Sequence, residues 1–215
     1  MNYERIYKYR IRGMNPETRL MTWDLVARFI YKKLGNPERV LDPAAGLCEF
    51  INAIPAKERW AIDLNDKFIS QKVDANVKKI IGNNLEVDIP QDYFDGIFIS
   101  NFLEHLHSQE EVAFLLEKMY KALRTGGRIA VMGPNFRFAA RQYFDFADHT
   151  VILSDISVAE HLYGAGFDKI SITPRFLPLT FRDRIPVNKF LVNTYLAMPF
   201  AWRFYGKQFL LIAQK

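Results

Sequence analysis

Residues 40–50 read VLDPAAGLCEF: an apolar pair enters Asp42, then come a proline, two alanines and a single glycine, Gly46, before a pattern that opens a helix. A strand, a short loop of small residues and a helix in succession form the unit on which open α/β sheets hold nucleotide-like cofactors, at the carboxyl ends of their strands. The surrounding sequence has the same architecture. Strand-like runs RVLD (39–42), WAIDL (60–64), KKIIG (78–82), DGIFIS (95–100) and GRIAVMG (127–133) are mostly separated by helical patterns, the alternation of a parallel α/β sheet. The clearest helix is expected over 109–124, with Val112, Leu115, Leu116, Met119 and Leu123 on one face and Gly126-Gly127 as its stop. Others are expected over 22–34 and 158–164.

Near the C-terminus DKISITPRFLP (168–178) and QFLLIAQK (208–215) follow one another without a parallel crossover helix. They predict an antiparallel pair at the sheet edge. The 180–207 segment between them is far too long for a hairpin loop and is expected to be a helical insertion.

The chain of 215 residues, 49% apolar, is expected to form one domain over 1–215, with an N-terminal helical segment 1–37 and the insertion 180–207. A single cysteine, Cys48, excludes an intrachain disulfide, and the start MNYERIYKYRIRGM carries charges where a signal peptide needs an apolar run. These point to the reducing cytoplasm as the expected compartment, and with no apolar stretch near the eighteen or so residues of a spanning helix, no integral membrane protein is expected. The net charge of +5 belongs to the C-terminal fifth, where Arg175, Arg182, Arg184, Lys189, Arg203, Lys207 and Lys215 face only Asp183.

A second acid is expected about 20 positions after the first strand, where a carboxylate takes hydrogen bonds from a ribose diol. Asp63, in WAIDL, stands there. The G-x-G-x-x-G fingerprint that lets a pyrophosphate approach the backbone is absent, and none of the ten tyrosines has a lysine four residues on, as short-chain reductases require. A cofactor without phosphates fits better, and S-adenosylmethionine (SAM) is such a cofactor. The chain resembles the class I SAM-dependent methyltransferases from end to end. VLDPAAGLCEF is similar to their first motif, AIDL to the ribose-binding strand end and IIGN to the adenine-side turn. FDGIFISNFLEHL and LRTGGRIAVMGPN resemble the fourth strand and the Gly-Gly-turned fifth. The resemblance implies a Rossmann-like seven-stranded sheet, mostly parallel with an antiparallel edge strand. It places SAM on Asp42, Ala44, Gly46, Asp63, Leu64, Asn83, Asn84 and Asn101. Later segments, among them GPNFRFAARQYFDFADHT, resemble a bacterial subgroup associated with cell-surface polysaccharide and glycolipid gene clusters.

Two glycines of the family's D-x-G-x-G-x-G pattern are replaced here by Ala44 and Cys48. Alanine is harmless at negative φ and strained at positive φ. At the adenine-side turn Asn83 replaces an acid, and Asp42 is expected to order its loop rather than touch the ligand.

A base is needed only if the methyl acceptor is a hydroxyl. His105, at the end of NFLEH beyond the fourth strand, and His149, in the aromatic connection FDFADHT, are the candidates, with Asp145 or Asp148 placed to orient the latter. His107 and His161 read as helix-surface residues. No spacing matches a zinc or carboxylate-cage site, so no metal is expected. The Asn/Asp-Pro-Pro-aromatic tetrapeptide of nucleic-acid amino-methylases is absent, SNFL standing in its place, which argues against methylation of a base amino group and makes nucleic acid an unexpected partner. The leading expectation is O-methylation of a sugar or other small hydroxylated acceptor, lipid-linked acceptors such as glycolipids included. Peripheral membrane contact through 180–207, or a homodimer across it, is expected from its mixture of cations and aromatics. The alternatives are an RNA or protein methyltransferase, prompted by the basic C-terminus, and a degenerate cofactor fold used for binding, prompted by Ala44 and Cys48.

Overall fold

The computed structural model describes residues 3–10, 12, 13, 15–179 and 187–215. Arg182, Arg184 and Pro186 lie outside the described residues. Helix α1 (Tyr3–Arg10) precedes α2 (Pro16–Lys33), which is capped by Asn15 accepting the Thr18 N–H at 3.0 Å and opens on a proline. The helix starts six residues before the expected position 22, because its first turns are polar and carry little apolar periodicity while the cap is chemical. The chain then alternates: β1 (Arg39–Asp42), α3 (Glu49–Ala53), β2 (Glu58–Asp63), α4 (Asp66–Lys72), β3 (Lys78–Ile81) and β4 (Phe94–Ser100). A 3₁₀ turn (Leu103–His105) leads to α5 (Gln109–Ala122), capped by Ser108, and to β5 (Leu123–Pro134). Helix α5 stops two residues short of the expected 124, since Leu123 already pairs with Phe94 in the sheet. Then come α6 (Phe136–Tyr143), α7 (Asp155–Gly164), β6 (Asp168–Thr173), α8 (Lys189–Ala197), α9 (Pro199–Tyr205) and β7 (Gln208–Gln214).

The strands form one seven-stranded sheet in the order β3-β2-β1-β4-β5-β7-β6. The pairs from β3 through to β5 are parallel, while β7 runs antiparallel to both neighbours. The expected antiparallel pair closes this edge of the sheet: β7 lies between β5 and β6, and β6 takes the outermost place. Burial explains the placement. Leu211 and Ala213 belong to one core and Leu210 to the other, so β7 is apolar on both faces, whereas β6 is largely exposed.

Alternation along β4 separates the two cores. Ile97 and Ile99 face α5 and α7, packing with Leu115, Leu116, Met119, Val158 and Leu162. Phe98 faces the other way, among residues of α2, α3, α8 and α9 that include Ile30, Phe50, Leu196 and Trp202. The expected insertion is helical as α8 and α9, and only part of it is packed: Leu196 and Trp202 are buried, while Phe190, Phe200 and Phe204 are 76%, 66% and 63% exposed. The strand order reverses between β1 and β4, the switch point at which such sheets bind ligands.

Candidate active site

A cavity of about 1240 Å³ opens at this switch point. It is lined at one end by the loop after β1, by Asp63 and Leu64 at the end of β2, and by Asn83 and Asn84 beyond β3. At the other end lie Asn101, Glu104, His105 and His149. Every residue the sequence proposed to hold the cofactor or act as base lines this one cavity, whereas Asp145, offered as an orienting acid, lines a second cavity instead.

The loop is braced from within. Gly46 adopts φ +52°, a left-handed conformation that glycine takes without strain, and its N–H donates to Asp63 Oδ2 at 2.7 Å. Asp63 Oδ1 accepts the Asn65 N–H at 2.8 Å. Burial pushes the Asp63 carboxyl upward against the pull of these two donors. Asp42 is fully buried and takes the Ala44 N–H at 3.3 Å; burial, with the nearby Asp63 charge adding to it, pushes it up to about 7. Asn84 donates to the Pro43 carbonyl at 3.0 Å, and Asn83 Oδ1 takes the Leu85 N–H at 3.0 Å. Asn101 holds φ +49°, the sort of strained backbone that collects at ligand sites.

The two departures from the glycine pattern are not equivalent. Ala44 has ordinary negative φ and costs nothing, whereas Cys48 sits at φ +60°. Cys48 is fully buried, and its thiol is pushed up to about 12 by that burial and by surrounding carboxylates, so it is a packing residue and not an activated nucleophile.

The chemistry of the lining suits SAM. An added Cβ on Gly46 would meet no atom within 4 Å, so the loop is open towards the cavity. Asp63 and Asp66 at this end of the cavity would repel a pyrophosphate and tolerate a cationic sulfonium. Residues 41–131 match a family described as methyltransferase domain. This segment is a methyltransferase domain. SAM is the cofactor that this match implies. Among curated proteins, none matches the chain by sequence. A SAM-dependent methyltransferase from Archaeoglobus fulgidus is similar in structure at 20% identity with a TM-score of 0.71, each chain covered in full. One from Mesorhizobium loti aligns at 15% identity and TM-score 0.60, over 88% of this chain and 96% of the other. A phosphoethanolamine N-methyltransferase from Haemonchus contortus, solved with SAM, aligns at 14% identity and TM-score 0.60, over 98% of this chain and 60% of the other.

At the far end of the methyltransferase cavity, backbone hydrogen bonds from Thr150 and Val151 to the Glu104 carbonyl, 2.9 and 3.2 Å, tie the 144–151 connection to the turn after β4. His149 is thereby brought against His105, ring centroids 5.0 Å apart, and lies flat on Phe146. The aspartate assignment needs correction. Asp148 serves His105, whose Nδ1 lies 2.9 Å from the Asp148 carbonyl and 3.5 Å from its carboxylate, and it is also bound by Arg10 of α1. Burial works to raise Asp148, but His105 and Arg10 outweigh it and hold it low. The buried His149 Nδ1 has no partner, and burial, reinforced by His105, lowers that ring to about 4. Burial pushes Glu104 up.

His107 is not on a helix but in the loop before α5, exposed at the cavity rim, and His161 of α7 bonds Gln109 at 2.7 Å. Sequence reasoning passed over Glu104, although the quoted LEH contains it, and over Arg19, which grips Glu49 at the start of α3 with bonds of 2.5 and 2.7 Å.

Proposed function

We propose that this methyltransferase acts on a hydroxyl of a sugar or other small hydroxylated acceptor. The observation that carries the reading is the continuity of two cavities. A second one, of about 610 Å³, shares Arg10, Phe146 and Leu179 with the first and extends past Arg5 and Gln142 to Tyr205 and Lys207 near the end of α9. An acceptor entering there would meet polar and cationic side chains before reaching Glu104, His105 and His149.

When bound, SAM supplies a methyl group already activated on a sulfonium. Asp63 would hold its ribose and Gly46 would leave room for it, with Leu64, Asn83 and Asn84 at the adenine side. The Glu104–His105–His149 end would position the hydroxyl and handle its proton; fixed placement of the acceptor supplies much of the remaining acceleration.

The exposed aromatics of α8 and α9, with Lys189 and Arg203 beside them, support a lipid-linked acceptor reached at an anionic bilayer surface. No described helix is long and apolar enough to cross a membrane, so such contact would be peripheral. The test is methyl-labelled SAM with fractionated lysate, including its glycolipid fraction. Label in an alkali-stable methyl ether is expected; label only in RNA, protein or an amine would overturn the reading. Co-sedimentation with anionic vesicles, lost at high salt and in a Lys189→Glu, Arg203→Glu variant, is the expected result for the surface, and equal binding to neutral vesicles would refute it.

A further inference from the structure

We infer that Glu104, His105 and His149 form a binding site for one divalent transition-metal cation at the acceptor end of the cavity. The sequence showed no metal spacing because the ligands come from two segments, the turn after β4 and the connection before α7. In the fold each of the three offers one ligand atom, and these atoms lie within 4.8 Å of one another. Two histidines and one carboxylate, with a fourth side open to substrate, is a donor set that holds catalytic zinc. Metal–ligand bonds of about 2.1 Å separate tetrahedral ligands by about 3.4 Å, so a contraction on the order of 1 Å closes the site, within reach of side-chain rotation.

The protons argue for a cation. The Asp148 carbonyl can only accept, so His105 Nδ1, 2.9 Å away, carries the hydrogen. In the neutral ring Nε2 is then a bare lone pair, and it faces Glu104 Oε1 at 3.9 Å. His149, 9% exposed, adds a buried Nδ1 with no partner. A proton on His105 Nε2 would serve Glu104 but leave His149 bare; a cation serves all three. The surroundings are those of a ligating histidine: its second nitrogen is fixed by a carbonyl, with a carboxylate at 3.5 Å that Arg10 anchors in turn. An ion on Nε2 uses the lone pair a histidine base would need, so the ion replaces that base. A coordinated hydroxyl would then release its proton to solvent nearer neutral pH.

The site is tested without SAM or acceptor, so its failure and failure of the proposed function are separable. Full-length protein stripped with chelator is titrated calorimetrically with Zn²⁺, and separately with Co²⁺ under optical and NMR observation. One Zn²⁺ per chain is expected, with affinity reduced at least tenfold in Glu104→Gln and in His149→Gln and unchanged in His107→Gln. Co²⁺ on the wild type should give ligand-field bands and paramagnetic shifts on two imidazoles, a readout that needs no variant to fold. No saturable binding overturns the site, as does binding indifferent to Glu104→Gln and His149→Gln, or shifts on fewer than two imidazoles.

Discussion

Replacing Asp63 by alanine removes two different things, and the structure allows them to be separated. In the protein alone, the carboxylate braces Gly46 and Asn65 through bonds of 2.7 and 2.8 Å. Hydrogen bonds to a charged group contribute about 1.5–3 kcal/mol each, but the buried carboxylate also bears a desolvation cost, visible in its raised pKa. The net loss of stability in Asp63→Ala is therefore expected to be about 1–3 kcal/mol, a fall in Tm of roughly 2–10 °C for a chain of this size. An ionised carboxylate has about four acceptor positions and the braces use two, which leaves two for a ribose diol. Losing those should cost SAM at least about 1.4 kcal/mol, or tenfold in Kd. Calorimetry with SAM, below the Tm of the variant and alongside circular dichroism, measures the two effects independently. Unchanged SAM affinity in a folded Asp63→Ala would refute the assignment of the ribose site.

Cys48→Gly relieves the φ of +60° but removes a buried side chain, so its stability should stay within about 1 kcal/mol of wild type; Cys48→Val keeps the strain, adds a branched Cβ and should lose at least about 2 kcal/mol in urea unfolding. Asp42, near 7 when folded against 3.8 as its ordinary value, contributes stability that is complete below pH 4 and lost as pH rises through 7. The full difference is about 4 kcal/mol, and Asp42→Asn should flatten the pH 4–8 stability curve by up to that amount; parallel curves would refute it. His105→Gln and His149→Gln should keep SAM affinity within about twofold and lower turnover on the identified acceptor by about 10²-fold, with full turnover in both excluding any role for the pair.

What could be read from the sequence was what is local along the chain. Parallel strands buried on both faces write short apolar runs, and the residues at their carboxyl ends follow immediately, so Asp42, Gly46, Asp63 and Asn101 could be placed on one rim before any coordinates. Asp148 was read one partner wrong, because which of two adjacent histidines it faces depends on backbone bonds from Thr150 and Val151 to Glu104 across more than forty residues. The same separation hid the Glu104–His105–His149 cluster. The antiparallel pair at the sheet edge was legible, but its order was not: a short apolar strand reads alike at an edge and in an interior, and only the cores on its two faces place β7 inside β6. Nor could sequence tell that Ala44 is unstrained and Cys48 is not, since backbone φ is set by the loop as a whole.

The central claim is that the cavity at the β1–β4 switch point holds SAM, and calorimetric titration of SAM into the wild-type chain and an Ala44→Phe variant tests it most directly. Ala44 lines the cavity at ordinary φ, so a phenyl group there fills cofactor space without straining the loop. One site per chain in the wild type, displaced by S-adenosylhomocysteine and lost in a folded Ala44→Phe, is the predicted result; absence of saturable binding to the wild type, or equal affinity in the variant, would contradict the account.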